Sequence, residues 1–438
     1  MSSLALIGIA ILIIIGGLLL GAYIQYAFLA AAFFLVGTLG YKTSFMLTYG
    51  YSVVNSIVLL CVPLFIAVGL LMNQSGIGKS LVEFVSIFVG RAKCGLAVVA
   101  VVASAAFGSI AGSSLATLSC IGTIMKPRCA EAGYDRGFTA ALVSCACPLG
   151  LLIPPSAHMV LYSWAGRQSL LACFLATVGP GLMLVFMLSL CSYFMLRNNP
   201  NIKVNEKIPL PQLLTLARKR TGSAIPALMM PFIVLGGIYG GFFTPTEAAA
   251  VAVLYTIPVG FFVYKKLTLR NLYDTLVETA ASTGVIMVMI FCIMILSRIY
   301  IMEDLPSMIT EHLKNFSDNK YVILLCTNVI LLIIGMIMDD TSAILLCAPI
   351  FIPILEEFGV HPVHFAAIMG VNIGIGVLTP PTAPSLYFGS NVMKVEVAEM
   401  LPTTLKLLVF AWLPTLMAVT YIPALALWLP DTLLGGIM

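Results

Sequence analysis

The chain runs to 438 residues, of which 61% are hydrophobic and 9% charged, with a mean hydropathy of +1.08. Such a composition lies far outside the soluble globular range and describes a polytopic membrane protein, embedded in the lipid bilayer. The net charge of +4 implies no nucleic-acid partner, and the eleven cysteines, almost all inside apolar segments, act as small hydrophobes.

Spans of roughly 20 apolar residues start at the N-terminus. Residues 3 to 20 have neither a basic leader nor an A-x-A cleavage site, so they are expected to be a first span and not a removed signal peptide. Spans at 22 to 40 and 54 to 72 follow, then a polar stretch at 73 to 93 holding Lys79, Arg91 and Lys93 against Glu83. The apolar stretch 94 to 124 is interrupted at Gly112, Ser113 and Ser114, and the span 137 to 165 is interrupted by Pro154 and Pro155. After a span at 169 to 196 comes the longest polar stretch, 197 to 222, with Arg197, Lys203, Lys207, Arg218, Lys219 and Arg220 against Glu206. Basic loops mark the cytoplasmic side, so this stretch is a cytoplasmic connector. Spans at 223 to 243, 247 to 264 and 280 to 298 precede a second interrupted stretch, 321 to 350, broken at Met338, Asp339 and Asp340. A span at 363 to 392, broken by Pro380 and Pro381, and one at 407 to 429 complete the chain.

The chain repeats itself. GLLIPPSA at 150 to 157 and GVLTPPTA at 376 to 383 are 226 positions apart, and over 124 to 157 and 350 to 383 eleven of thirty-four positions are identical without a gap. Composition bias cannot place the matches of Pro127 with Pro353, Glu131 with Glu357 and Gly133 with Gly359. Equivalent loops carry opposite charge. Residues 299 to 319 hold Glu303, Asp304, Glu311 and Asp318 against Lys314, and 352 to 362 hold Glu356 and Glu357 with no Lys or Arg, where 126 to 136 hold Lys126, Arg128 and Arg136. The sign change predicts an inverted-topology repeat: a first half over 1–205, a connector at 206–222 and a second half over 223–438. The span count then closes if 94–124 and 321–350 are re-entrant hairpins, and if 137–165 and 363–392 are discontinuous helices.

A proline pair inside a span removes two donors and frees carbonyls. Around Gly150 to Pro154 and Gly376 to Pro380, those oxygens, with a hydroxyl of Ser156 or Thr382 and a hairpin tip, form an all-oxygen cage suited to a small cation such as sodium. The half-helix expected to begin at Ser156 or Thr382 aims its positive end at the same depth, ready for an anion. His158 sits next to that turn, with core packing as its plainer reading.

Other polar residues carry two readings each. Asp340 either neutralises a cation or caps the helix that begins at Thr341 and Ser342. Glu247 in TPTE is read as the cap of an outer turn, and Arg298 as a carboxylate partner or a snorkelling side chain. His361 and His364 share a helical face without a third ligand. No nucleophile and base, metal triad or nucleotide loop is evident, so an enzyme and an ATP-driven pump are not expected.

GSIAGSSLAT (108 to 117), IGTIMKPRCAEAGYDRGFTAAL (121 to 142), LIPPSAHMVLY (152 to 162), GIYGGFFTPTEAAAVAVLY (237 to 255) and TPPTAPSLYFGS (379 to 390) resemble the large membrane subunit of tripartite ATP-independent periplasmic (TRAP) transporters. The resemblance spans nearly the whole chain. It implies an all-α, elevator-type, sodium-driven importer in the bacterial inner membrane, without a cofactor. Its substrate would be a carboxylate such as sialic acid or a C4-dicarboxylate, delivered by a periplasmic binding protein, and a small four-helix membrane subunit would complete it. The sodium sites map by that resemblance onto Gly112, Ser113 and Ser114 with Gly150 to Pro154, and onto Asp340 with Gly376, Thr379 and Pro380. Substrate falls to Ser156, His158 and Thr382. The chain departs from the family's usual small residues at Cys145, Cys147, Pro148 and His158. The alternative reading is a single-component sodium-coupled carboxylate or anion transporter.

Overall fold

The computed structural model describes residues 3–90, 94–200, 202 and 210–435, and every regular element among them is helical. Hydrocarbon offers a backbone no water to bond, so a chain this apolar satisfies its amides within each segment. Among the described residues six helices are long and apolar enough to cross a membrane: Ile57–Ser75, Leu170–Leu196, Pro245–Val263, Leu269–Met302, Lys320–Ile337 and Val397–Tyr421. Arg136–Leu152 and Ala157–Ala165, bent by 45° at the first proline pair, make a seventh when taken as one span.

Ser3–Leu19 and Ile24–Leu39 match the first two expected spans. Elsewhere the ends move. The helix expected at 280 to 298 starts at Leu269, where the Thr268 hydroxyl accepts the Asn271 N–H and caps it. The helix expected at 223 to 243 runs back to Leu210, into the basic connector. The span drawn at 407 to 429 is corrected: its helix begins at Val397 and stops at Tyr421, and Ala424–Leu434 is a separate helix. Pro423, lacking an N–H, cannot continue the first ladder and suits the start of the second. Lys203, Glu206 and Lys207 of the connector lie outside the described residues, as do Arg91 and Lys93.

The polar stretches 73 to 93 and 299 to 319 are not merely loops. Each contains an amphipathic helix, Ile77–Phe88 and Leu305–Phe316. Ile77, Leu81, Val82 and Val85 bury one face of the former at helical spacing, a pattern masked by the flanking charges. Both helices are tied to the hairpin that follows. Glu83 pairs with Arg128 at 3.5 Å, and Lys314 pairs with Glu357 at 2.8 Å, with acid and base exchanged between the two.

The first interrupted stretch is a helical hairpin, Gly95–Ala111 and Ser114–Glu131, turning at Gly112 and Ser113. Gly112 takes φ +58, which suits a residue without a Cβ. The second is Lys320–Ile337 and Asp340–Glu357, turning at Met338 and Asp339. The broken helices are Arg136–Leu152 with Ala157–Ala165, and Pro362–Gly376 with Pro384–Met393; the Pro154–Pro155 and Pro380–Pro381 bonds are both cis.

Each hairpin lies against the broken helix of its own half through two glycines. A Cβ on Gly108 would stand 2.7 Å from the Gly150 Cα, and one on Gly376 would stand 2.6 Å from the Gly335 Cα. Only bare backbone permits that approach, and it seats each tip beside a helix break. The halves meet deeper in, where the Tyr162 hydroxyl donates to the Pro362 carbonyl (2.7 Å); within the second half, the Asn372 amide donates to Asn328, which donates to the Thr420 hydroxyl, tying the second hairpin to its broken helix. Facing this group is a second set of helices, in which Leu269–Met302 packs on Ile24–Leu39, on Cys61–Ser75 and on the second hairpin arm Asp340–Glu357.

Candidate ion and substrate site

The first tip rests directly on the first break. From Gly112 the nearest groups in the direction of a Cβ are the Ala157 nitrogen (3.4 Å) and the Pro155 carbonyl oxygen (3.5 Å). Ser156 occupies the N-cap position of Ala157–Ala165, yet its side chain caps nothing. The hydroxyls of Ser156 and Ser114 are both buried and have no hydrogen-bond partner. A buried hydroxyl without a partner is costly, and these two flank backbone oxygens freed by the proline pair. The donor set is hard and all-oxygen, which fits a small monovalent cation of the kind bound at unwound helices in transporters.

At the second tip the capping considered for Asp340 falls chiefly to its neighbour. Asp339 is the cap: its carboxylate accepts the N–H groups of Thr341 (3.2 Å) and Ser342 (3.3 Å) and the Ser342 hydroxyl. Asp340 keeps one oxygen on the Thr341 N–H (2.9 Å) and turns the other to His158 Nε2, at 3.1 Å. The second half-helix begins at Pro384 and not at Thr382, because Pro is suited to the first helical position. The Thr382 hydroxyl instead donates to the Met336 carbonyl (2.6 Å) and ties the second break to the second hairpin, while Thr379 bonds back to Ile375 (2.7 Å).

A cavity of about 760 Å³ opens where the tips meet, within the range of small-ligand sites. Gly112, Ser113, Ser114, His158, Asp339 and Asp340 line it from the tips and the first break, and Gln25, Asn73, Glu278 and Ser282 line it from Ile24–Leu39, Cys61–Ser75 and Leu269–Met302. Gly150, Pro154, Ser156, Gly376, Thr379, Pro380 and Thr382 are not on its wall. Gln25, Asn73, Glu278 and Ser282 escaped the sequence reading because each stands alone in an apolar segment without a motif. Their one signal was their polarity, since such residues within spans face cavities or bundle interiors.

The remaining candidates lie elsewhere. Thr244 and Glu247 form a reciprocal capping box at the outer turn. Arg298 is exposed, its guanidinium 5.7 Å from the Tyr49 ring centroid. His361 caps Pro362–Gly376 through the Val363 N–H, and His364 Nε2 bonds the Val419 carbonyl at 2.7 Å.

Comparison with known proteins places this arrangement. The profile of the family described as "Tripartite ATP-independent periplasmic transporter, DctM component" matches residues 8–425. The C4-dicarboxylate TRAP transporter large permease protein DctM of Pseudomonas aeruginosa is 37% identical over 86% of this chain and 86% of its own length. The sialic acid TRAP transporter large permease protein SiaM of Vibrio cholerae is 34% identical over 87% of this chain and 88% of its own. Among solved structures, the YdaH transporter of Alcanivorax borkumensis aligns with a TM-score of 0.58 at 18% identity, covering 87% of this chain and 89% of that one, a likeness of fold. With a family match running nearly end to end, the chain belongs to the DctM component family, the large membrane permeases of tripartite ATP-independent periplasmic transporters.

Proposed function

We propose that the chain is the transporting subunit of a sodium-coupled importer of an organic acid in the bacterial inner membrane, fed by a periplasmic binding protein and completed by a small four-helix membrane subunit. Relatives named for C4-dicarboxylates, sialic acid and isethionate all carry organic acids, and the family name is itself tripartite and periplasmic. One observation carries the ion coupling. Beside the first tip, the unpartnered hydroxyls of Ser114 and Ser156 stand at a break that leaves backbone oxygens free. A carboxylate would enter the adjoining cavity near His158 and the start of Ala157–Ala165, where a helix N-terminus favours negative charge.

In this reading the halves 1–205 and 223–438 form an inverted repeat, and hairpins and broken helices move together against the outer helices. Their glycine contacts, the Asn372–Asn328 bond within the second half and the Tyr162–Pro362 bond between halves support movement as one unit. The test is uptake of labelled organic acids into proteoliposomes holding the chain, its small subunit and the loaded binding protein. Uptake should rise with external sodium at fixed potential and should require the binding protein. Undiminished transport in sodium-free buffer, driven by a proton gradient, would sink the coupling. Equal transport without the binding protein would restore the single-component reading.

A further inference from the structure

A second cavity, of about 400 Å³, lies between the second arm of the first hairpin, the start of the first broken helix and the end of the second. Lys126, Arg136 and Lys394 line it together with Tyr134, Thr139 and Met393, and no carboxylate does. Among the described residues, none of the three cations pairs with an acid, whereas nearby Arg128 pairs with Glu83. Asp135 is occupied as a helix cap, accepting the Phe138 N–H at 2.8 Å, and Glu131, Glu396 and Glu399 are not on the wall.

Two of the three cations are not an echo of the repeat, whereas the turn of Lys394 has its counterpart at Arg167, also at φ +53. Ile352 and Pro362 stand 226 positions after Lys126 and Arg136. Lys126 and Arg136 are therefore basic for a reason particular to this half, and they share their cavity with Lys394. Three like charges around one small space repel unless a counter-charge joins them. Basic pockets between membrane helices on the cytoplasmic side take anionic headgroups, and the charge pattern of loop 126 to 136 puts this one on that side.

We propose that this cavity is an oxyanion site, holding the phosphate of an anionic phospholipid headgroup or free phosphate through Lys126, Arg136 and Lys394. Since its walls come from both halves, an occupant would clamp the first hairpin to the end of the second broken helix.

The experiment uses the delipidated full chain in detergent, titrated with phosphatidylglycerol and followed by native mass spectrometry, and separately titrated with inorganic phosphate and followed by thermal shift. Variant K126Q/R136Q/K394Q should bind the effective probe on the order of a hundredfold more weakly, and each single variant roughly fivefold. R128Q, which removes a neighbouring charge outside the cavity, should bind as wild type. Saturable binding of phosphatidylglycerol identifies the bilayer as the source; a response to inorganic phosphate alone identifies the solution. Binding of neither probe, equal binding by the triple variant, or an equal loss in R128Q overturns the proposal.

Discussion

His158 Nε2 lies 3.1 Å from a carboxylate oxygen of Asp340, joining the short helix after the first proline pair to the tip of the second hairpin. The side chains are only 9% and 22% exposed, so water screens the pair far less than it screens an ion pair on an open surface. Asp339 alone takes the Ser342 N–H and hydroxyl, so Asp340, which shares only the Thr341 N–H, can turn its other oxygen to His158. Of two adjacent acids, one is wholly local and the other joins the helix start to the opposite half.

Because the two side chains touch, His158→Ala and Asp340→Ala will not be additive in thermal unfolding of the detergent-solubilised protein. The coupling in a double-mutant cycle is expected at about 1 kcal/mol or more. Additive losses would mean that each residue is held by other groups.

Removing a candidate ion ligand should change sodium dependence more than expression. Ser114→Ala, Ser156→Ala and Asp340→Ala are each expected to raise the sodium concentration for half-maximal uptake by about fivefold or more, the weight of one lost polar contact of ~1 kcal/mol. Ser163→Ala is the control, because that hydroxyl already donates to the Val160 carbonyl. Unchanged sodium curves in all three variants would leave the tips as structural caps.

The glycine crossings predict a sharp positional effect. Gly108→Ala and Gly376→Ala push a Cβ into facing backbone and should cost about 1–3 kcal/mol in stability. Gly236→Ala, which meets nothing within 4 Å, should be neutral or slightly stabilising in its helix. Tm values of the three variants check this, and equal values would mean that hairpins and broken helices do not pack closely.

Movement of hairpins and broken helices against the outer helices can be read with two cysteines on one cavity. Ser119 lies on the first hairpin and Ser282 on the long helix Leu269–Met302, and both line the cavity. With Cys191 and Cys326, the partly exposed natural cysteines, changed to Ser, Ser119→Cys should react with impermeant reagents from opposite sides as ligand conditions change. Ser282→Cys should react from one side only. One-sided reaction at Ser119 in every condition, in a transporting protein, would favour local gates around a fixed site.

The breaks in the helices were legible because their residues break rules that the rest of the chain obeys. Proline pairs and a Gly-Ser-Ser or Met-Asp-Asp step inside apolar runs are expensive in lipid, so they stand out against a uniform background, and the helices do turn at those residues. Partner choice was not legible. Nothing in spacing assigns the cap to Asp339 and the cross-half contact to Asp340, since both precede Thr341 and Ser342 closely enough to cap. The repeat makes Thr382 the counterpart of Ser156, yet its hydroxyl bonds the Met336 carbonyl while the Ser156 hydroxyl has no partner. Equivalent positions in a repeat acquire different neighbours once two copies pack face to face.

By itself the sequence determined the membrane class, the repeat, its charge inversion and the positions of the breaks, all of which follow from local composition and from the cost of unbonded backbone in hydrocarbon. Tertiary structure decided what meets at those breaks: His158 with Asp340, Gly108 with Gly150, and Gln25, Asn73, Glu278 and Ser282 in one cavity with the tips. These contacts join segments far apart in the chain, and which of them form depends on how helices pack, a property that no window of sequence contains.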